Sequence, residues 1–114
     1  HWCSFCQKEV PRIQEWLNAS GMPADVDLVT VATSNDPAKG NFPAGDWLRR
    51  EEWSVPTIVD DKQSQAGSAL GVSGFPYFIV ADAQGKIVYR TSGAVTEDQW
   101  NALLEAARTG KSPV

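Results

Sequence analysis

Apolar side chains recur at helical spacing in two places, near the start and near the end of the chain; between them they come in short branched runs broken by glycine and proline. Val10, Ile13 and Leu17 make the first stripe, which predicts a helix from Cys3 to about Ser20, stopped at Gly21. Pro11 falls inside that helix, where its missing amide should bend the axis. Trp100, Leu103, Leu104 and Ala107 make the second stripe, ending before Gly110. Thr96 with Gln99 reads as its capping box, and Glu97 and Asp98 suit the positive end of its dipole.

The runs between the helices read as strands. Val26–Ala32 is rich in branched apolar residues and predicts a buried strand; Val55–Val59, with Pro56 near its edge, predicts a shorter one. Phe75–Ala81 and Lys86–Thr91 flank the turn Asp82-Ala83-Gln84-Gly85 and predict an antiparallel hairpin. The polar stretch from Ser34 to Pro43 is a surface loop, Asp46 is placed to cap a short helix over Trp47–Trp53, and a further helical segment is expected around Gln65–Leu70. Asp60 and Asp61 are candidate metal ligands, but with no further carboxylates beside them they read as solvated turn residues. No repeat or low-complexity segment is present, and Lys111–Val114 reads as a frayed tail.

Composition narrows the function classes. A chain of 114 residues, 42% of them hydrophobic, suits one compact domain. A net charge of −4 with no run of lysine and arginine argues against nucleic acid as a partner. No apolar stretch is long enough to cross a bilayer, and there is no signal peptide.

The candidate chemistry lies in Trp2-Cys3-Ser4-Phe5-Cys6, which holds both cysteines of the chain. At the start of a helix that spacing puts the two sulfurs one turn apart on one face, with Cys3 over the positive end of the dipole. A thiolate is the reactive form of cysteine, and positive potential at a helix N-terminus favours it. Cys3 is therefore expected to attack a substrate disulfide and Cys6 to resolve the mixed disulfide, so that the Cys3–Cys6 disulfide is the only redox group and no cofactor is needed. A static disulfide would close too short a loop to constrain the unfolded chain much, and a zinc site would have at most Cys3, Cys6 and His1 where four ligands are needed.

The Trp-Cys-x-x-Cys helix opening, the proline five residues past the second cysteine and the strand Gly74-Phe75-Pro76-Tyr77-Phe78-Ile79-Val80 resemble the thioredoxin superfamily. Cys3-x-x-Cys6-x-x-Glu9-x-Pro11, with Val55–Asp60, Ala69–Pro76 and Ala81–Val88 in order and spacing, is similar to TlpA-like and ResA-like extracytoplasmic thiol-disulfide oxidoreductases. The resemblance implies an α/β thioredoxin-like three-layer sandwich with a mixed central sheet. It implies a cis Pro76 facing the cysteines, which would hold the backbone of Phe75 ready to pair with an extended client segment. Trp2, Phe5, Phe75 and Tyr77 are candidates for an apolar collar around such a client, or for simple packing. Glu9 is implied to influence the cysteine titrations and proton movement, with a solvated helix glutamate beside Lys8 as the alternative.

In such folds a central strand runs directly into the Trp-Cys-x-x-Cys helix, and here only His1 and Trp2 precede Cys3. The expectation is a single thioredoxin-like domain over 1–114, N-terminally incomplete, with an apolar slot between the 26–32 and 75–81 strands. The resemblance further implies client proteins bearing cysteines or disulfides, a membrane or soluble thiol electron donor, and a reductase role, with cytochrome c maturation as a family example. It also implies a place outside the cytoplasm, with an export signal or single anchor upstream. Two alternatives stand beside this reading: a non-catalytic thiol-bearing chaperone or metal carrier, and a peroxiredoxin-like peroxidase, whose isolated cysteine in a proline-threonine setting neither Cys3 nor Cys6 provides.

Overall fold

The two striped helices share one core. The computed structural model describes all 114 residues, with α1 over Ser4–Ser20, β1 over Thr30–Ala32, α2 over Ala44–Arg50 and β2 over Thr57–Val59. There follow α3 over Gln65–Leu70, β3 over Tyr77–Ala81, β4 over Ile87–Ser92 and α4 over Glu97–Thr109. Ile13 of α1, Val80 of β3 and Trp100, Leu103 and Ala106 of α4 form a buried cluster with Val95, and Trp16 and Phe78 pack on Trp100. Leu17, Leu104 and Ala107, expected on the same stripes, are half-buried at its margin, and Val10 is half-buried away from it.

Both helix ends follow local chemistry. Cys3 is the N-cap of α1 and its Sγ accepts from the Cys6 amide, so the helix begins one residue later than the stripe predicts. α1 runs unbroken through Pro11 to the Gly21 cap. The capping box of α4 is present in both directions between Thr96 and Gln99, and Gly110 closes the helix in the left-handed conformation.

α2 departs from expectation. It starts at Ala44, three residues before Trp47, with Pro43 as N-cap, and Asp46 lies inside the first turn paired with Arg49 instead of capping. A proline sets the entry angle here without a side-chain acceptor. The apolar run of 26–32 yields only three strand residues, because β1 pairs solely with β2, in parallel register Thr30↔Thr57 to Ala32↔Val59. The 55–59 run is likewise trimmed to Thr57–Val59, and the hairpin strands begin two and one residues later than expected.

The central sheet is split. β1 and β2 form one two-stranded sheet, β3 and β4 another, antiparallel with Tyr77↔Ser92 and Phe78↔Thr91. Thr30 N–H donates to Pro56 and Asp60 N–H to Ala32, so Val31 between them turns its backbone away from β2. Gly93 N–H donates to Pro76, which by alternation binds Phe78 to β4 and turns the backbone of Tyr77 and Ile79 outward. Between these two free edges lies a cavity of about 360 Å³, lined mainly by apolar side chains including Val29, Val31, Tyr77, Ile79, Val10 and Trp53. One parallel pair and one antiparallel pair with an apolar slot between their free edges is the arrangement expected of a mixed sheet without its central strand.

Candidate functional site

The mouth of this cavity holds the cysteines. His1, Trp2, Cys3, Cys6 and Glu9 line it together with Phe75 and Pro76, so the two ends of the sequence motif meet across the split sheet. Cys3 and Cys6 are free thiols, both partly exposed. The Cys6 amide points at Cys3 Sγ over 3.2 Å, so negative charge arriving at that sulfur meets an N–H dipole at the start of a helix. Cys6 is different: burial foremost, then its hydrogen bond with Cys3, the charge of Cys3 and that of Glu9 push its thiol up to about 12. One sulfur of the pair thus keeps its proton at neutral pH.

The Phe75–Pro76 peptide is cis. Phe75 meets Trp2 edge to face, with ring centres 6.5 Å apart, and Tyr77 lines the slot just beyond. Phe5 stands apart from this collar. It is 63% exposed on the outer side of α1 and touches neither aromatic nor cavity.

Glu9 is not the solvated glutamate of the alternative reading. It is 2% exposed; Oε2 accepts from the Val95 amide at 2.6 Å and Oε1 from Arg12 Nε at 3.0 Å. Arg12 in turn donates to the Val95 carbonyl, so the two side chains satisfy both peptide groups of the residue ahead of the α4 cap. The i,i+3 spacing of Glu9 and Arg12 was visible in the sequence, while the partner at Val95, 86 residues further along the chain, was not.

Asp60 and Asp61 are solvated turn residues as expected, Asp61 exposed and Asp60 partly so, and their carboxylates are also hydrogen-bonded to the chain beside them. Asp60 accepts from Thr33 Oγ1 at 2.6 Å and from the amides of Ala66 and Gly67, and Asp61 accepts from Gln65 N, so the two carboxylates hold the start of α3. The Thr33 hydroxyl first, then the Gly67 amide, hold Asp60 down to about 2. No group of three His, Cys, Asp or Glu residues could hold a metal ion, and no helix is long and apolar enough to cross a membrane.

The 34–42 loop is a site element absent from the sequence reading. Ser34 O accepts from Trp2 Nε1 at 2.7 Å, Lys39 Nζ lies 5.1 Å from the centre of the Trp2 ring, and Asn41 donates to the His1 carbonyl at 3.1 Å. Its polar composition predicts a loop and carries no sign of what the loop covers.

A helix that opens on two thiols and faces a cis proline at the head of a strand places this chain among thioredoxin-type domains. The family model described as a thioredoxin-like domain matches residues 1–108, and the chain belongs to that family. It is 28% identical over 103 residues to a protein of Pasteurella multocida named probable thiol:disulfide interchange protein DsbE-2, covering 90% of this chain and 50% of that one. It is also 28% identical over 105 residues to the thiol-disulfide oxidoreductase ResA of Bacillus thuringiensis, covering 91% of this chain and 57% of the relative. The crystal structure of StoA from Bacillus subtilis superposes with a TM-score of 0.73 at 22% identity, over 90% of this chain and 74% of that one, which shows the shared fold. The chain spans about half the length of the curated relatives it matches.

Proposed function

We propose that this chain is a protein thiol-disulfide oxidoreductase that gives electrons to client disulfides from the Cys3–Cys6 pair. The observation that carries the reading is the asymmetry of the two sulfurs beside the cis proline: Cys3 accepts a helix amide, and Cys6 is held as a thiol with its pKa pushed up to about 12. Cys3 as thiolate attacks one sulfur of the client disulfide. A Cys3–client bond forms, the client S–S bond breaks, and the departing client thiolate takes up a proton.

Cys6 then loses its proton and attacks Cys3 Sγ, forming the Cys3–Cys6 disulfide and releasing the second client sulfur as a thiolate, which is protonated in turn. Capture of Cys3 helps this step. Two of the influences that raise Cys6, the hydrogen bond with Cys3 and the charge of Cys3, disappear when Cys3 enters a mixed disulfide. The two electrons given to the client leave the chain oxidised, and a thiol donor, membrane-bound or soluble, must return them.

The electron-donating direction follows the resemblance to reductases of this type; the protonated Cys6 thiol sets the order in which the two sulfurs act. The names of the Pasteurella and Bacillus relatives support the activity, and the resemblance to extracytoplasmic oxidoreductases supports a place outside the cytoplasm. Phe75 and Pro76, with Trp2 opposite, form the groove in which an extended client segment lies along the free backbone before β3. Phe5, on the outer face, is left to meet only the rim of a large client.

The test is reduction of insulin by the reduced protein, with Cys6→Ser as a trap. Turnover by the wild type and a mixed disulfide on Cys3 in the variant are the expected results. Absence of both would leave a thiol-bearing binding module as the better account.

A further inference from the structure

Both ring nitrogens of His1 are engaged, in opposite senses. Nδ1 lies 2.7 Å from the carbonyl of Gly40, which can only accept, and Nε2 lies 3.1 Å from the amide of Asp36, which can only donate. One donor and one acceptor fit the neutral ring with its hydrogen on Nδ1; the protonated ring carries two donors and loses the bond from Asp36. The ring also meets Phe42 edge to face at 5.6 Å.

The loop gripped in this way is the one that positions Trp2. Its Ser34 carbonyl accepts the Trp2 indole N–H, and Lys39 lies over the indole ring. Trp2 in turn packs on Phe75, the residue before the cis proline. A chain of direct contacts therefore runs from the His1 ring through the loop and Trp2 to the wall of the cysteine site.

We propose that His1 is a positioning residue for client binding: neutral, it holds the 34–42 loop at both Gly40 and Asp36 and thereby Trp2 beside the dithiol; protonated, it keeps only the bond to Gly40 and loosens that hold. The inference rests on the dithiol reading above for its kinetic consequence, and on hydrogen-bond geometry alone for the latch. The titratable and charged groups around the ring are Asp36, whose carboxylate accepts from the Ala38 amide, and Lys39 on the loop; Cys3, Cys6 and Glu9 on α1; and Tyr77 beyond Phe75. Protonation of the ring costs the bond from Asp36, so the latch loosens as the pH falls.

The experiment compares wild type with His1→Phe, which keeps an aromatic ring against Phe42 and the same α-amino group but neither hydrogen bond. In the reduced 114-residue protein without client, the Asp36 amide and Trp2 indole nitrogen–proton resonances are expected to move together with one midpoint as the pH falls. In His1→Phe neither resonance should move with pH. With insulin as client, KM of the variant should exceed that of wild type by at least about 2–10-fold at neutral pH, the effect of one lost hydrogen bond, and the ratio should fall in acid, where wild type has also lost the bond from Asp36. The kcat ratio should stay near one at each pH, since both proteins carry the same thiols.

Resonances that stay still across the range in wild type, or equal KM values at neutral pH, would overturn the proposal. Failure of either protein to reduce insulin at any pH would fall on the dithiol reading instead. The resonances then decide the latch by themselves, movement in wild type with its loss in His1→Phe supporting it and stationary signals rejecting it.

Discussion

Replacing Glu9 separates two jobs of one carboxylate. Oε2 satisfies the amide of Val95, a residue only 5% exposed, and Oε1 holds Arg12, which is 45% exposed and keeps its own bond to the Val95 carbonyl. Glu9→Ala strands a buried N–H, which costs about 1–3 kcal/mol. The half-exposed ion pair adds at most about 1 kcal/mol, because water screens the arginine end. The expected loss for alanine is therefore about 1–4 kcal/mol, against the ~5–15 kcal/mol of an ordinary domain. Glu9→Gln keeps an oxygen for Val95 but turns amide hydrogens toward the guanidinium, so it should lose about half as much. Both variants remove negative charge near Cys6, whose thiol Glu9 helps to raise, so Cys6 should titrate lower in each. Urea unfolding of the reduced proteins measures the first effect and thiolate absorbance against pH the second. Alanine within about 0.5 kcal/mol of wild type, or glutamine less stable than alanine, would refute the hydrogen-bond account. An unmoved Cys6 titration would refute the electrostatic one.

The remaining predictions concern the frame around the site. Asp60 is held down to about 2 by Thr33 and Gly67, whereas an unfolded aspartate takes its proton near ~3.9, so the unfolded state binds more protons in that window. Its stabilising contribution is present above about pH 4 and is lost as the pH falls toward about 2; thermal melts of wild type should lose Tm there more steeply than those of Asp60→Asn. A Cβ on Gly67 would lie 2.5 Å from Thr33 Oγ1, the hydroxyl that donates to Asp60, so Gly67→Ala should cost about 1–3 kcal/mol in urea unfolding. The free edges at Val31 and at Tyr77 and Ile79 should make those amides exchange with solvent faster than that of Phe78. Appending an alternating Val/Ile segment ahead of His1 should raise Tm by filling the slot; an unchanged melt would show that the slot does not accept a strand.

The sequence was most legible where structure is local. The α4 stripe and its capping box depend on residues within one or two turns, and both are present as read. The hairpin around Gly85 is likewise a matter of neighbouring residues, and its strands shift by no more than two positions. Strand lengths were less legible because they depend on a partner: Val26–Ala32 has the composition of a seven-residue strand but hydrogen-bonds only where β2 lies beside it, at Thr30–Ala32. α2 misled because Asp46 has the chemistry of a cap, while the chain direction is set three residues earlier at Pro43.

At the site, the order in which features became legible follows the distance over which each acts. The Cys-x-x-Cys spacing fixes both sulfurs on one turn, so their meeting needs no tertiary structure. The meeting of that turn with Phe75 and Pro76 is a property of the whole fold, reached from sequence through resemblance and visible in the structure as a shared cavity wall. Glu9 had two open readings because its fate depends on a backbone amide 86 residues further along the chain, and no periodicity encodes the position of Val95. The 34–42 segment was legible as a loop, but its part in the site was not. Its grip on His1 and Trp2 uses mainly backbone groups, the carbonyls of Ser34 and Gly40 and the amide of Asp36, which every residue type carries. A site wall built from main-chain atoms leaves little compositional trace, and so the part of the site that side-chain chemistry could announce was read early and the part that holds it in place was not.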